Sequence, residues 1–271
     1  MLSEKQLTEF GERGYLVIPN VVEPDVVDRA QRRIDDIVDA DPPAEGHTGH
    51  HFSFLNAEDE PALTAPLTAA GTESASSFAY AEALTAPGVL EQLWQIQVAL
   101  NIPPFPHRPG RPHIDAQNAE PTPGVAPNTF TLLAGVFLTD QQAEDAGNLW
   151  VWPGTHLTHA EYFRQKGVAM FCAYPDVELP EPVQVTARAG DLLLAHYLLG
   201  HNIGGNTSDR TRRMLYYRIS TRGHADRPER ILTEPWYEYD AVRALIRAPQ
   251  VPASISTTGA SSSRNMPFTA I

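Results

Sequence analysis

Apolar positions along the chain change their period about a third of the way in. From residues 3 to 13 they recur at helical spacing: Leu7 and Phe10 share a face, and Ser3 stands where a capping hydroxyl belongs. Tyr15-Leu16-Val17-Ile18-Pro19 is a brief apolar run and reads as a strand. Pro24-Asp25 opens a second helix to about Val38, with Val26, Val27, Ala30, Ile34 and Val38 near helical spacing. From Asp41 to Ser77 no period holds. That stretch is rich in His, Pro, Ala, Thr and Ser and reads as a mobile polar loop holding His47, His50 and His51, able to fold over a site elsewhere. Tyr80 to Leu93 returns to helix, with a turn at Pro87-Gly88.

From Leu93 onward the pattern becomes one of short strands. Trp94–Leu100, Phe130–Leu138, Gly147–Pro153, Val183–Thr186, Asp191–Tyr197 and Met214–Ser220 are the candidates, and His159–Lys166 is a helix outside the sheet. The 24 prolines and 18 glycines punctuate them. A helical part over about 1–92 followed by a β core over about 93–221 predicts a mainly β, α+β protein: a β-sandwich or barrel buttressed by helices. A single domain is expected over 1–251. Residues 252–271, Ser/Thr-rich and almost without charge, read as a flexible tail. No GxGxxG follows a first strand and no P-loop occurs, so nucleotide-binding folds are disfavoured.

Composition narrows the partners. A net charge of -13 over 271 residues argues against nucleic acid and anionic membrane. No apolar run approaches the ~20 residues that span a bilayer, and the first residues lack a signal peptide's basic flank and apolar stretch. A single cysteine, Cys172, rules out an internal disulfide and fits a reducing cytoplasm. The expectation is a cytoplasmic enzyme, monomeric or homodimeric, acting on a small molecule.

The chemistry concentrates in His113-Ile114-Asp115. In an extended strand the first and third side chains project to one side, which brings an imidazole nitrogen and a carboxylate oxygen to one small cation. Two histidines compete as third ligand, His196 and His201. A turn-forming stretch from Asn202 to Asp209 follows His201, then Arg210, Arg212 and Arg213 enter the last apolar strand. This predicts a hairpin that sets a guanidinium near the metal, where it can clamp a carboxylate. Two histidines and one carboxylate on one face, with three positions open, is the ligand set of non-haem Fe(II) oxygenases.

Four segments together resemble the phytanoyl-CoA dioxygenase family of Fe(II)- and 2-oxoglutarate-dependent oxygenases, over roughly residues 7 to 221. They are Phe10-Gly11-Glu12-Arg13-Gly14-Tyr15 with the apolar run after it, the HxD of His113-Ile114-Asp115, Asp145 through Pro153-Gly154-Thr155-His156, and Gly190-Asp191 through Arg212. The resemblance selects His201 and Arg212 together, eleven residues apart. It implies a double-stranded β-helix (a jelly roll) in which His113, Asp115 and His201 hold Fe(II) and 2-oxoglutarate chelates two of the open positions. Its distal carboxylate would pair with Arg212 and O2 would take the last position. Gln97 is a further candidate for the cosubstrate, and His107, Phe105, Gln117 and Trp150 are candidates for the substrate wall.

The departures are informative. Gly135 stands where many relatives carry an aromatic residue lining the cosubstrate pocket, so that wall must differ. Asp145-Ala146-Gly147 replaces an acidic-Asn-Gly and touches a turn more than the chemistry. Asp115 is retained, which disfavours halogenation. His196 reads as a buried, hydrogen-bonded histidine, His156 as a residue stabilising its turn, and Asn206 and Ser208 as turn formers. The implied activity is hydroxylation of a small organic molecule in secondary metabolism. Desaturation, cyclisation or epimerisation would use the same iron site, and a silent β-sandwich binding protein would need neither the triad nor Arg212. Acyl-CoA substrates would favour a basic entrance, for which a -13 chain offers little support.

Overall fold

The computed structural model describes residues 1–72, 74–115 and 129–247. Helix α1 (Glu4–Arg13) begins with a capping box: the Gln6 amide donates to the Ser3 hydroxyl, and the Ser3 amide donates back to the Gln6 side chain. Gly14 ends it at φ +79° and turns the chain into β1 (Tyr15–Ile18). A side chain at Gly14 would also meet the His156 imidazole at 2.4 Å. Helix α2 (Pro24–Ala40) buries Val26, Val27, Ala30 and Ile34, the stripe its spacing predicts.

Helices α3 (Pro61–Thr68) and α4 (Ser77–Leu84) precede β3 (Gln95–Ile102), and β4 (Leu132–Phe137) follows. Strand β5 (Leu149–Val151), helix α5 (Thr155–Lys166) and β6 (Val183–Gln184) lead to β7 (Leu192–His196), β8 (His201–Ile203) and β9 (Arg212–Ile219). Helices α6 (Pro228–Thr233) and α7 (Asp240–Arg247) close the described chain. With β2 (Gly49–Asn56), the strands form two antiparallel sheets, a six-stranded one in the order β1-β7-β4-β9-β3-β2 and a three-stranded one in the order β6-β5-β8. None of the described helices is long and apolar enough to cross a membrane.

The period-2 alternation of β9 divides the interior. Leu215, Tyr217 and Ile219 join Phe10, Ile34 and Leu63 in a core under the helices, whereas Met214 and Tyr216 join Leu149, Val151 and Phe163 between the sheets. Strand β4 is buried at every position because both faces of the large sheet are covered. This is the sheet-rich α+β architecture that the pattern predicts.

The helix expected over Tyr80–Leu93 stops at Leu84, and Leu90 bridges Thr221 instead; two larger expectations are overturned. Residues 41 to 77 are not one loop: β2 pairs with β3 over eight residues, from Gly49 opposite Ile102 to Asn56 opposite Gln95, and α3 follows. The strand escapes a pattern search because Phe52 and Phe54 stand on its exposed face while Ser53 stands on the half-buried one. The pairing is a long-range contact, and it supplies what local alternation does not. The second is the hairpin after His201. Strand β8 pairs with β5 in the small sheet and β9 pairs with β3 and β4 in the large one. Residues 204–211 therefore cross from one sheet to the other and close that end of the interior.

His159 of α5 and His196 at the end of β7 are buried as neutral imidazoles. The Leu198 amide donates to His196 Nδ1 at 3.0 Å while Nε2 donates to the Pro235 carbonyl at 2.8 Å. His159 Nδ1 donates to the Leu198 carbonyl at 2.7 Å and its Nε2 accepts from Tyr174 at 2.8 Å. Burial drives both rings down to about 4. The unfolded chain takes up these protons below about 6.5, and the native state resists until about 4. Their stabilisation is thus complete above pH 6.5 and lost as pH falls towards 4. Circular dichroism melts should show a flat midpoint above pH 7 that drops by several degrees near pH 5. His159→Gln should reduce that slope.

Candidate metal centre

The segment entering Asp115 runs antiparallel to β8 and places His113 directly opposite His201. Each backbone amide donates to the other's carbonyl, at 2.9 and 3.1 Å, and the rings lie 4.4 Å apart. Gly200 makes the approach possible: a Cβ there would come within 2.8 Å of the Tyr174 hydroxyl and 3.1 Å of Pro112. Two residues on, Asp115 presents Oδ1 to both histidines, 3.4 Å from His113 Nε2 and 3.5 Å from His201 Nε2. The three ligand atoms lie within 4.8 Å of one another. His201 Nδ1 bonds to the Leu199 carbonyl at 2.9 Å, which turns Nε2 towards the cluster. Two imidazoles and one carboxylate on one side of a cleft suit a small divalent cation such as Fe(II) and leave its other positions facing the cleft.

Arg218 occupies the second carboxylate oxygen. Its Nε and Nη2 both donate to Asp115 Oδ2, at 3.1 and 2.7 Å, and its Nη1 donates to Gln97 Oε1 at 2.9 Å. Burial pushes the Asp115 carboxyl up, but hydrogen bonds from His113 and His201 and the Arg218 charge outweigh it and hold the group well below the usual carboxylate range. The same burial drives His113 down, together with the charge of His201. Burial would lower His201 too, yet its bond to Asp115 raises it. Asp115 therefore stands ionised, with Oδ2 committed to Arg218 and Oδ1 left for an ion.

Arg212 lies deeper on the same face of β9, only 2% exposed. Its Nε donates to the Gly147 carbonyl at 2.9 Å, Nη1 to the Ala99 carbonyl at 3.2 Å and Nη2 to the Tyr216 hydroxyl at 3.4 Å. Those bonds engage three of the five N–H donors of a guanidinium. Gly147 must be glycine, because it sits at φ +80° and a Cβ would come within 2.8 Å of Arg212 Cβ. The Asp145-Ala146-Gly147 turn, expected to matter little to the chemistry, is what seats Arg212. At Gly135 the missing aromatic is replaced from the neighbouring strand, since the Tyr216 ring lies 3.0 Å from where a Cβ would stand.

A cleft of about 270 Å³ opens over the three ligands, with Gln97, Arg218 and Tyr216 on its wall. The other expected residues fall differently. Phe105 and His107 stand behind His50, in ring pairs 5.1 Å apart, and are not in the cleft wall. Trp150 points away, because it alternates with Leu149, which does line the cleft, and it packs instead on Gly204. Gln117 lies outside the described residues. Asn206 braces its turn through Asn101, Arg210 and Ser208, and His156 faces Gly11. Sequence reasoning missed Arg218, Phe52 and Phe54, and placed His50 only in a loop able to fold over a site; all four line the cleft. The spacing 212, 214, 216, 218 carried the signal for Arg218: one face of a strand.

Arg218→Ala removes the partner that keeps Oδ2 away from the ion. Fe(II) affinity, measured anaerobically by calorimetry, should fall roughly 10- to 100-fold. Arg218→Lys, which keeps the charge but loses the two-point contact, should fall between the two.

The fold and the three-ligand cluster define a mononuclear non-haem iron enzyme. The phytanoyl-CoA dioxygenase (PhyH) family matches residues 10–214, and the chain belongs to it. The cofactor set is that of the family: Fe(II), 2-oxoglutarate and O2. Among solved structures, the chain is similar to the non-haem α-ketoglutarate-dependent carbocyclase SnoK from nogalamycin biosynthesis, with 22% identity over 81% of this chain and 84% of that one, and a TM-score of 0.59. The epimerase SnoN from the same biosynthesis gives 22% identity, 80% and 82% coverage and a TM-score of 0.55. HygX from Streptomyces hygroscopicus, with nickel and 2-oxoglutarate bound, gives 18% identity, 82% and 88% coverage and a TM-score of 0.56. At these identities the likeness establishes the fold. A search of curated proteins finds no match.

Proposed function

We propose that this protein hydroxylates an unactivated C–H bond of a small organic molecule in secondary metabolism. The observation that carries the reading is the His113, Asp115 and His201 cluster on the floor of a cleft. These three residues hold Fe(II). The bound metal supplies the redox chemistry that couples decarboxylation of 2-oxoglutarate, giving succinate and CO2, to oxidation of the substrate. Arg212 pairs with the distal carboxylate of 2-oxoglutarate through the donors that Gly147, Ala99 and Tyr216 leave free. Gln97 stands on the wall beside it and keeps Arg218 turned to Asp115. The apolar side chains around the ligands keep water from the reacting carbon. Two antiparallel sheets that share an inner apolar cluster support a double-stranded β-helix, and the common cores of helices and sheets support one catalytic domain over 1–251.

A second reading keeps the site and changes the outcome. SnoK is a carbocyclase and SnoN an epimerase, so ring closure or inversion at carbon on the same iron is favoured by likeness. The product mass separates them: gain of one oxygen for hydroxylation, loss of two hydrogens for ring closure, no change for epimerisation.

Anaerobic Fe(II) with 2-oxoglutarate should give a weak visible charge-transfer band, absent in His113→Ala. Protein that binds neither metal nor 2-oxoglutarate would sink the reading. Arg212→Gln should retain Fe(II) binding while weakening 2-oxoglutarate roughly 30-fold or more, the loss expected when one partner of a buried charge pair is truncated. Succinate release against a metabolite panel, followed by mass spectrometry, identifies the substrate.

A further inference from the structure

Strand β2 reverses the usual order of exposure. Its largest apolar side chains, Phe52 and Phe54, are 41% and 55% exposed, while Ser53 on the opposite face is half-buried. Exposed large apolar groups on adjacent same-face positions mark a surface that meets something. Both rings line the cleft that holds His113, Asp115 and His201, and β2 is the edge strand of the large sheet among the described residues. The register aligns Phe54 with Gln97 and Phe52 with Ala99, which puts the two rings in line with the cleft floor.

The cleft wall combines two kinds of group. Arg218 bonds Asp115 and Gln97 bonds Arg218, beside the ligand cluster. The rest of the wall is Phe52, Phe54, Leu133, Leu149 and Ile203, with His50, Asn202 and Tyr216. The Arg218 guanidinium, 5.9 Å from the Phe54 ring centre and 5.6 Å from that of Phe130, is already bound to Asp115. It is the only cation of the Lys/Arg type among the described wall residues. Among the described wall residues, the phosphates of coenzyme A would find no free Lys or Arg side chain.

We propose that Phe52 and Phe54 form the substrate wall and select a flat, uncharged aromatic ring system over both an acyl-CoA thioester and a non-planar molecule of equal size. The inference rests on the oxygenase reading above and adds the class of substrate to it. Alternate residues leave one strand about 7 Å apart, a spacing on the scale of a fused bicyclic or larger ring. Flat rings stack on phenyl groups over their whole face, whereas puckered rings touch them only in part.

The test uses the anaerobic Fe(II)/2-oxoglutarate protein with three probes: 2-naphthol, its saturated counterpart 2-decalol, and octanoyl-CoA. Calorimetry should show 2-naphthol binding at least several-fold more tightly than 2-decalol, with octanoyl-CoA weaker than either. The double variant Phe52→Ser, Phe54→Ser should lose 2-naphthol binding tenfold or more while keeping its melting temperature, since neither ring is in a core. Unchanged 2-naphthol binding in that variant, equal binding of 2-decalol, or preferred binding of octanoyl-CoA would each overturn the proposal. Phe52→Tyr, Phe54→Tyr should restore most of the affinity, which a merely structural role would not predict. The visible band keeps the two readings apart. A band without ring selectivity refutes the wall alone, and ring selectivity without a band refutes the oxygenase reading alone.

Discussion

A carboxylate withdrawn from water must be compensated, and the arrangement around Asp115 follows from that need. Its two oxygens face different partners: Oδ2 meets the Arg218 guanidinium and Oδ1 meets two imidazole nitrogens. The arginine comes from the large sheet, one histidine from the small sheet and the other from the segment beside it. The two sheets must therefore be held at a fixed separation and register. The exchange of backbone hydrogen bonds between His113 and His201 fixes one side, and the crossing of residues 204–211 fixes the other. A slip of β9 by one residue would turn Arg212, Tyr216 and Arg218 into the helical core and bring Leu215 and Tyr217 to the cleft. The core under the helices, which takes Leu215, Tyr217 and Ile219, is what forbids it.

The two arginines of β9 show how one strand face supports two roles. Arg218 lines the cleft beside Asp115, and all three of its nitrogens have side-chain partners. Arg212 is deep and is bonded to two backbone carbonyls and a phenol, which orient a guanidinium without neutralising it. An oriented, uncompensated cation is a receptor for an anion. A cation already paired with a carboxylate positions that carboxylate instead. The distinction is not available from residue identity; it comes from what each side chain touches.

Much of this was legible in the chain, and the rest was hidden for identifiable reasons. Helices α1 and α2 announced themselves through Ser3, Pro24 and apolar stripes, and the large-sheet strands through apolar runs, because these depend on local propensity and burial of one face. The HxD pair was legible because two residues on a strand share a side. His201 needed the family pattern, since His196 has the same local surroundings and only the folded chain shows it bonded between Leu198 and Pro235. Strand β2 was illegible because its apolar residues point to the exposed face, against the rule that the reading depends on. The expected hairpin failed because a turn composition says that the chain reverses but not which sheet receives it. Gly147 was read as a turn residue, and its second role emerges only when Arg212 packs 2.8 Å from where its side chain would begin.

The floor and the mouth of the cleft are built under different constraints, and this separates chemistry from selectivity. Every floor residue is tied to the scaffold, His113 and His201 by paired backbone bonds and Asp115 by Arg218, while Arg212, buried outside the cleft wall, is held by the Gly147 turn. Altering one disturbs a register, a buried charge or a close backbone approach. The mouth is bordered by an edge strand whose cleft-facing rings support no core, while its other face, through Leu55, packs against the helical one. Side chains there can change with small effect on folding stability, because the strand is held by its eight-residue pairing with β3 and not by those rings. Two exposed phenyl rings at such free positions point to contacts made with something outside the fold.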